Sequence, residues 1–191
     1  MRIFAVSGSL QTASSNTRFL QAATDLAPEG VEVDVFESVG ALPHFNPDLV
    51  PSRAVADFRE RIAAADGVLI ATPEYAHEMP GSLKNALDWV VGSGELYEQR
   101  VAIVVVSPRP NGGAYAREAV ERTLHAQGSK VVLSTTVGVV KHEVEDAAAF
   151  LEQVRDVVAR VFAAFGPASR RRRSARSWRR GSRARRRPRR A

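Results

Sequence analysis

The sequence predicts an α/β protein whose core is a doubly wound, five-stranded parallel sheet with helices on both faces. Short apolar segments of strand length alternate along the chain with segments whose apolar residues recur at helical spacing. Such alternation is typical of βαβ units, which pack helices onto both faces of a parallel sheet. Residues 101–106 are apolar throughout, as expected for a central strand that is buried on both faces.

The predicted elements follow one another over the first 165 residues. The strands are expected at residues 3–7, 31–36, 68–72, 101–106 and 130–135. A helix is expected after each strand. The first helix contains Phe19 and Leu20, and the other four include residues 55–65, 83–91, 114–126 and 146–165. Gly92-Ser93-Gly94 is predicted to end the third helix, and Gly166-Pro167 to end the last one.

Composition separates a globular body from a basic tail. The chain has 191 residues and a net charge of +6, but residues 166–191 contain 13 arginines and no acidic residue, whereas the rest contains 14 Lys and Arg against 21 Asp and Glu. We therefore predict one domain over residues 1–166 and a disordered Arg-rich tail over residues 167–191. Three interpretations of the tail stay open: contact with nucleic acid or another polyanion, a solvated tail that contacts the acidic body, or a shifted reading frame in GC-rich DNA.

Several classes of protein are excluded by what the sequence lacks. It contains no cysteine, which excludes disulfides, thiolate metal sites, Fe–S clusters and dithiol chemistry, so any redox reaction requires a cofactor. The histidines lack metal-ligand spacing, and no metal site is expected. No apolar segment approaches the roughly 20 residues that cross a bilayer, and the N-terminus lacks the layout of a signal peptide, so no membrane contact and a cytoplasmic location are expected.

The loop after the first strand is rich in hydroxyl groups. Residues 7–17 contain six Ser and Thr residues and lead into the first helix. Free N–H groups and the dipole at a helix N-terminus attract anions, and hydroxyls add neutral donors, so the loop predicts a site for a phosphate monoester. It contains neither a Walker motif nor the G-x-G-x-x-G dinucleotide motif. The alternative is an ordinary Ser/Thr-rich helix cap.

The loop after the third strand contains two prolines, Pro73 and Pro80, which restrict its backbone. A rigid loop at the carboxyl end of a strand is suited to present N–H and C=O groups to a flat heterocycle. The alternative is a stiff connection in which Glu74 and Tyr75 are solvated and Trp89 serves packing. Because the two informative loops follow strands 1 and 3, they favour the strand order 2-1-3-4-5, whose ligand site lies between those strands.

Both loops resemble those of one enzyme family, the NAD(P)H-dependent FMN reductases, which also include chromate, quinone and azo-dye reductases. The resemblance covers roughly residues 1–165. It implies a flavodoxin-like fold, one FMN per subunit, and a homodimer or a homotetramer made of two dimers, with the flavin near the subunit interface. The residues that carry it are Gly8-Ser9-Leu10 with Ser14 and Asn16, and Pro73-Glu74-Tyr75 with Pro80-Gly81, Leu83-Lys84-Asn85-Ala86 and Asp88-Trp89.

The resemblance also implies which residues bind FMN. They are Ser9, Gln11, Ser14, Asn16 and Thr17 around the phosphate, Pro73, Glu74, Tyr75 and Ala76 along the isoalloxazine, and Ser107, Gly112 and Gly113 on the other side. Two positions depart from the family pattern. Gln11 stands where Arg or Lys is usual, which weakens the phosphate contact unless Arg18 compensates. Ala76 stands where Asn is frequent, which removes a side-chain hydrogen bond.

The implied function is the transfer of electrons from NADPH or NADH, through bound FMN, to a quinone-like or other small electrophilic acceptor, or to flavin itself. No acid–base side chain is required and none is assigned. N–H groups around Tyr75 and Ser107 are expected to stabilise negative charge on the flavin. Two other functions stay open: a flavodoxin-type electron carrier with no NAD(P)H reaction of its own, and a polyanion-binding protein that acts through its tail.

Overall fold

The computed structural model describes residues 1–109, 112–139 and 146–166. Within them the chain forms five strands: β1 (Arg2–Ser7), β2 (Glu32–Phe36), β3 (Gly67–Ala71), β4 (Arg100–Ser107) and β5 (Lys130–Gly138). The α-helices that alternate with these strands are α1 (Ser15–Asp25), α2 (Arg53–Ala64), α3 (Gly81–Asp88), α4 (Ala114–Ala126) and α5 (Ala147–Phe165). A short 3₁₀ turn, Val39–Ala41, lies between β2 and α2. The predicted tail lies outside the described residues.

The strands form one parallel sheet in the order β2-β1-β3-β4-β5. At its centre Ala5 lies opposite Leu69, and Leu69 lies opposite Ala102. The chain proceeds from β1 to β2 in one direction and from β3 to β5 in the other, so the topological switch lies between β1 and β3. The predicted fold class and strand order are confirmed.

Two apolar layers bury the sheet. On one face, side chains from α2, α3 and α4 cover Phe4 and Ile70, and on the other face α1 and α5 cover Leu69 and Val104. All of β3 is buried, and so is β4 after its first residue, because both strands have neighbours on either side and helices on either face. β5 lies at the edge and stays partly exposed. No helix within the described ranges has both the length and the apolar composition needed to cross a bilayer.

The third helix is shorter than the sequence predicts. A helix that Gly92-Ser93-Gly94 ends was expected, but α3 ends at Asp88, so that prediction is wrong. Beyond Asp88 the N–H groups of Val90 and Val91 bind carbonyl oxygens only three residues back, those of Leu87 (3.3 Å) and Asp88 (3.2 Å). The Trp89 side chain is buried, and its carbonyl oxygen accepts a hydrogen bond from Arg59 (3.0 Å to Nε). Val91, predicted on the apolar face of the helix, is 57% exposed. Trp89 is thus a packing residue, in agreement with one of the two alternatives.

Candidate functional site

A cleft of about 720 Å³ opens at the carboxyl ends of β1, β3 and β4. It lies at the switch point of the sheet, where open α/β proteins bind their ligands, and its volume is within the range of about 300–1,000 Å³ that is typical of small-molecule sites. Three loops form its walls. We call the β1–α1 loop with the first turn of α1 the hydroxyl wall (residues 8–17), and the β3–α3 loop the proline wall (residues 72–80). The third wall is formed by Pro108, Arg109, Gly112 and Gly113, which lie between β4 and α4.

Buried polar side chains concentrate at this edge of the sheet. Seven polar residues are buried in the part of the chain that the structure describes, and all but Gln99 lie at or near the carboxyl ends of β1, β3 and β4. Buried polar groups are uncommon and need partners, so their concentration beside a cleft indicates a site adapted to a polar ligand as well as to folding. The six residues are Ser7, Ser9, Ser14, Asn16, Thr72 and Ser107.

The hydroxyl wall is held by hydrogen bonds among its own groups. Ser14 is the N-cap of α1, and its hydroxyl accepts from the Thr17 N–H (3.3 Å). The Ser9 hydroxyl accepts from the Gln11 N–H (3.2 Å), and the hydroxyls of Ser7 and Thr17 share a hydrogen bond of 2.9 Å. The first turn of α1 contains no acidic residue, so it adds no negative charge to the positive end of the helix dipole.

Asn16 ties the hydroxyl wall to the centre of the sheet. Its amide donates to the Val106 carbonyl oxygen (3.3 Å) and accepts from the Val106 N–H (3.0 Å), and the residue is only 2% exposed. Because both ends of the amide bind the backbone of β4, the side chain holds α1 against that strand. Its contribution to a ligand site is therefore mainly the position of the wall.

The proline wall contains a tight turn in an unfavourable conformation. The Tyr75 N–H donates to the Glu78 carbonyl oxygen (3.0 Å), and the Glu78 N–H donates to the Tyr75 carbonyl oxygen (2.9 Å). The residues between them have positive φ, 49° for Ala76 and 62° for His77, as in a type I′ turn. Such turns favour Asn and Gly, and a left-handed Ala costs about 1–2 kcal/mol, so the turn needs support from its neighbours. The Tyr75 N–H is used within the turn.

Helix α4 supplies that support. Glu74 Oε2 accepts from the N–H groups of Tyr115 (3.0 Å) and Ala116 (3.2 Å) in the first turn of α4. The His77 ring stacks on the Tyr115 ring, with centroids 4.4 Å apart and planes inclined by 18°. The carboxylate of Glu74 is therefore hydrogen-bonded to protein. The proline wall is joined to α4 by this contact, by the ring stack and by an exposed ion pair of Glu78 with Arg122 (3.8 Å).

Glycines allow the third wall to lie close to β4. The Ser107 hydroxyl accepts from the Arg109 N–H (3.1 Å), and a Cβ at Gly112 would overlap with that hydroxyl. Gly113 is the N-cap of α4 and has a φ of 94°, and a Cβ there would overlap with the Val105 side chain. Only glycine fits at these two positions, and larger residues would displace the loop.

Asn85 and Trp89, two of the residues that carry the family resemblance, serve packing. Asn85 donates to the Pro43 carbonyl oxygen (3.0 Å) and accepts from the Phe45 N–H (2.7 Å). The Trp89 indole N–H donates to the same Pro43 oxygen (2.7 Å), and its ring lies edge-on to the Phe45 ring at 5.2 Å. None of these four residues lines the cleft. They hold residues 43–45 against α3 instead.

Ten of the twelve predicted FMN-binding residues line the cleft. Thr17 directs its hydroxyl at Ser7, and Ala76 is exposed in the turn, so these two do not. The ten are Ser9, Gln11, Ser14, Asn16, Pro73, Glu74, Tyr75, Ser107, Gly112 and Gly113, and the cationic side chains beside them are Arg18 and Arg109.

Five lining residues were not predicted: Ala13, Ser15, Val106, Pro108 and Val139. Ser15 could have been predicted from its place in the hydroxyl-rich loop. Val139 could not, because it reaches the site only through the pairing of β5 with β4, where its N–H donates to the Ser107 carbonyl oxygen (3.0 Å).

The fold and the position of the cleft define a class: open, doubly wound α/β proteins of flavodoxin-like strand order, with a ligand site at the β1/β3 switch point. Comparison with known proteins gives the family within that class. The family described as NADPH-dependent FMN reductase matches residues 1–144, and the chain belongs to it. The predicted family is confirmed.

Individual relatives agree with this family. The chain is 41% identical over 92 residues to an NAD(P)H-dependent FMN reductase of Pseudomonas aeruginosa, covering 47% of this chain and only about half, 49%, of the relative. It is 39% identical over 127 residues to a quinone reductase of Pseudomonas putida, covering 62% and 67%. The solved structure of FerB, a flavoenzyme NAD(P)H:(acceptor) oxidoreductase of Paracoccus denitrificans, matches with a TM-score of 0.64 and 25% identity, over 81% of this chain and 97% of that one.

Proposed function

We propose that the chain binds FMN in the cleft and acts as an NAD(P)H-dependent oxidoreductase, passing electrons to a quinone-like or other small electrophilic acceptor, or to flavin itself. One observation carries the proposal. The chain belongs to the FMN reductase family, and ten of the residues predicted to bind FMN line a cofactor-sized cleft at the switch point of its sheet. NADPH or NADH is the co-substrate in this proposal.

The hydroxyl wall fits a phosphate group. Ser9, Ser14 and Ser15 line the cleft beside the N-terminus of α1, whose first-turn N–H groups have no partner within the helix. Arg18, one turn into α1, also lines the cleft and adds positive charge where Gln11 is neutral. The phosphate of FMN would therefore be held mainly by neutral donors and backbone N–H groups, with one arginine nearby.

The other two walls fit a flat ring system. Pro73 and Tyr75 line one side of the cleft, and Ser107 and Gly112 line the other. Bound FMN supplies the hydride chemistry in this family of reactions, so the task of these residues is to bind and orient the ring. Tyr75 is 52% exposed and, together with Arg109, borders the open side, where NAD(P)H and then the acceptor would bind.

Purification without added flavin, followed by anaerobic mixing with NADPH, tests the proposal. We expect a yellow protein that releases FMN on denaturation, identified by chromatography against FMN and riboflavin, and loss of the flavin absorbance within minutes of adding NADPH. A protein that releases no flavin and does not bind added FMN would contradict the proposal. Bound FMN that dithionite reduces but neither NADPH nor NADH reduces would identify an electron carrier instead.

Other expectations about assembly and location stay predictions. A homodimer or homotetramer would bury exposed apolar side chains such as Leu10 and Val50, which are 62% and 90% exposed. A cytoplasmic location and a single domain over residues 1–166 stay predictions as well. Contact with nucleic acid would act through residues 167–191, which lie outside the described part of the chain.

A further inference from the structure

We propose that Glu74 is a positioning residue: its carboxylate caps α4 and thereby holds the proline wall in the shape that receives the ring system of the flavin. The inference rests on the proposed function and adds a role for one side chain. The sequence offered two roles for Glu74, a contact along the isoalloxazine or a solvated side chain. The hydrogen bonds of its carboxylate to α4 give the side chain a third role, which is compatible with a contact between the Glu74 backbone and the isoalloxazine.

Glu74 supplies a cap that α4 otherwise lacks. The N-cap residue of α4 is Gly113, which has no side chain to accept from the first-turn N–H groups. The cap comes instead from Glu74, 41 residues before Tyr115 in the chain. Its Oε2 accepts from the N–H groups of Tyr115 and Ala116 in the first turn of α4. A carboxylate at the positive end of a helix is a charge-assisted acceptor, which binds N–H groups more strongly than a neutral hydroxyl does.

The two helix N-termini at the cleft therefore differ in charge. That of α1 is capped by the neutral hydroxyl of Ser14, whereas that of α4 already holds the carboxylate of Glu74. An anionic group of a ligand is disfavoured near Glu74 and favoured near α1, which leaves the uncharged ring system beside the proline wall. The main effect of Glu74 is on the shape of the wall, which acts on FMN and riboflavin alike.

The proline wall depends on this support because of its turn. Two consecutive residues of the turn, neither of them glycine, have positive φ, a conformation that is unfavourable unless neighbouring groups hold it. The turn also meets α4 through the His77 ring and through an exposed ion pair of Glu78 with Arg122 (3.8 Å), and exposed pairs contribute little. Removal of the Glu74 carboxylate is therefore expected to let the turn relax away from α4.

Titration of the flavin-free protein with FMN and with riboflavin tests the inference, because riboflavin lacks the phosphate. For Glu74→Ala we expect both dissociation constants to rise by the same factor, about tenfold, so that the ratio between the two flavins is unchanged. Ser14→Ala, at the other end of the cleft, is expected to weaken FMN binding and to leave riboflavin binding nearly unchanged. Glu74→Gln keeps an oxygen acceptor without the charge and is expected to lie between wild type and Glu74→Ala.

Glu118→Ala is the matched control. It removes one acidic side chain from α4 that is exposed and makes no hydrogen bond or ion pair with the described residues. Quenching of flavin fluorescence gives the affinities, the visible absorption band reports the surroundings of the bound ring, and circular dichroism checks that each flavin-free variant is folded. If Glu74→Ala does not fold, the FMN and riboflavin affinities of Glu74→Gln, compared with those of wild type and Glu118→Ala, test the inference instead.

Three results would contradict the inference about Glu74 or the proposed function. Equal affinities in the Glu74 and Glu118 variants, with the same absorption band, would overturn the inference. An effect of Glu74→Ala on FMN alone would also overturn it, because the side chain would then act at the phosphate end. Wild-type protein that binds neither flavin would instead overturn the proposed function, and the inference with it.

Discussion

The hydroxyl wall and the proline wall both expose their middle residues, 10–13 and 75–78, but they are stabilised differently. The hydroxyl wall has no residue with positive φ, and neutral hydrogen bonds hold it to itself and, through Asn16, to β4. The proline wall contains two such residues and is held by a carboxylate and an aromatic ring that contact α4. The proposed phosphate site is therefore stabilised by neutral hydrogen bonds, including one from Ser82 of α3 to the Gly8 carbonyl oxygen (3.2 Å). The proposed ring site depends instead on a carboxylate and an aromatic ring that contact α4.

Asn16→Ala is expected to affect the hydroxyl wall strongly. It leaves the buried N–H and C=O of Val106 without partners, and each such group costs about 1–3 kcal/mol, so we expect a loss of about 2–4 kcal/mol in the free energy of unfolding. Urea unfolding followed by circular dichroism measures it. Gln21→Ala, which removes an exposed amide that donates to Asp25 (3.0 Å), is the control on the same helix. Equal losses in the two variants would show that the amide of Asn16 does not stabilise the wall.

Ala76→Asn is expected to have a smaller effect, of opposite sign, on the proline wall. Asn tolerates the left-handed conformation better than Ala, so we expect the free energy of unfolding to rise by about 0.5–1 kcal/mol. Ala13→Asn on the hydroxyl wall is the control, because Ala13 does not have positive φ and no gain is expected there. Denaturant unfolding of the flavin-free variants measures both. A gain of the same size at both positions would rule out the backbone conformation as its cause.

Ion pairs between β2 and its neighbours form a third region, apart from both walls. Asp34 pairs with Arg61 and with Arg2 (2.7 Å), and none of the three lines the cleft. Burial by itself raises the pKa of the Asp34 carboxyl, but the hydrogen bonds and charges of Arg61 and then Arg2 outweigh it and hold the pKa below its ordinary value. This carboxylate therefore stabilises the folded state only where it is ionised.

Asp34→Asn is expected to leave the cleft unchanged and to alter the pH dependence of stability. Because the pKa is lower in the folded protein, the contribution is complete above the ordinary carboxyl pKa of about 3.9 and is lost as the pH falls through the folded value. The difference in free energy of unfolding between wild type and variant should thus be constant from about pH 7 to pH 5 and shrink toward about pH 3. A difference that grows on acidification, or a changed FMN affinity at neutral pH, would contradict this prediction.

Strand order was predictable because it depends on local patterns, the apolar periodicity and the position of the two informative loops after strands 1 and 3. Most lining residues were predicted in another way, from the resemblance of these loops to those of one enzyme family. The roles of Glu74 and Asn16 were not predictable, because their partners are backbone groups 41 and 90 residues away, which have no sequence signature. Ala76 was interpreted as a missing hydrogen bond. The structure adds a second reason for Asn at that position, a left-handed backbone that the presence of alanine does not reveal.

The bond between Glu74 and α4 also has a consequence for motion. N–H groups in the first turn of a helix lack helical partners, and their protons normally exchange rapidly with solvent. Those of Tyr115 and Ala116 donate to a carboxylate on another loop, so their exchange requires the Glu74 carboxylate to leave the helix. The exchange rates of these two amide protons therefore record how frequently this contact opens, with no flavin needed to observe it.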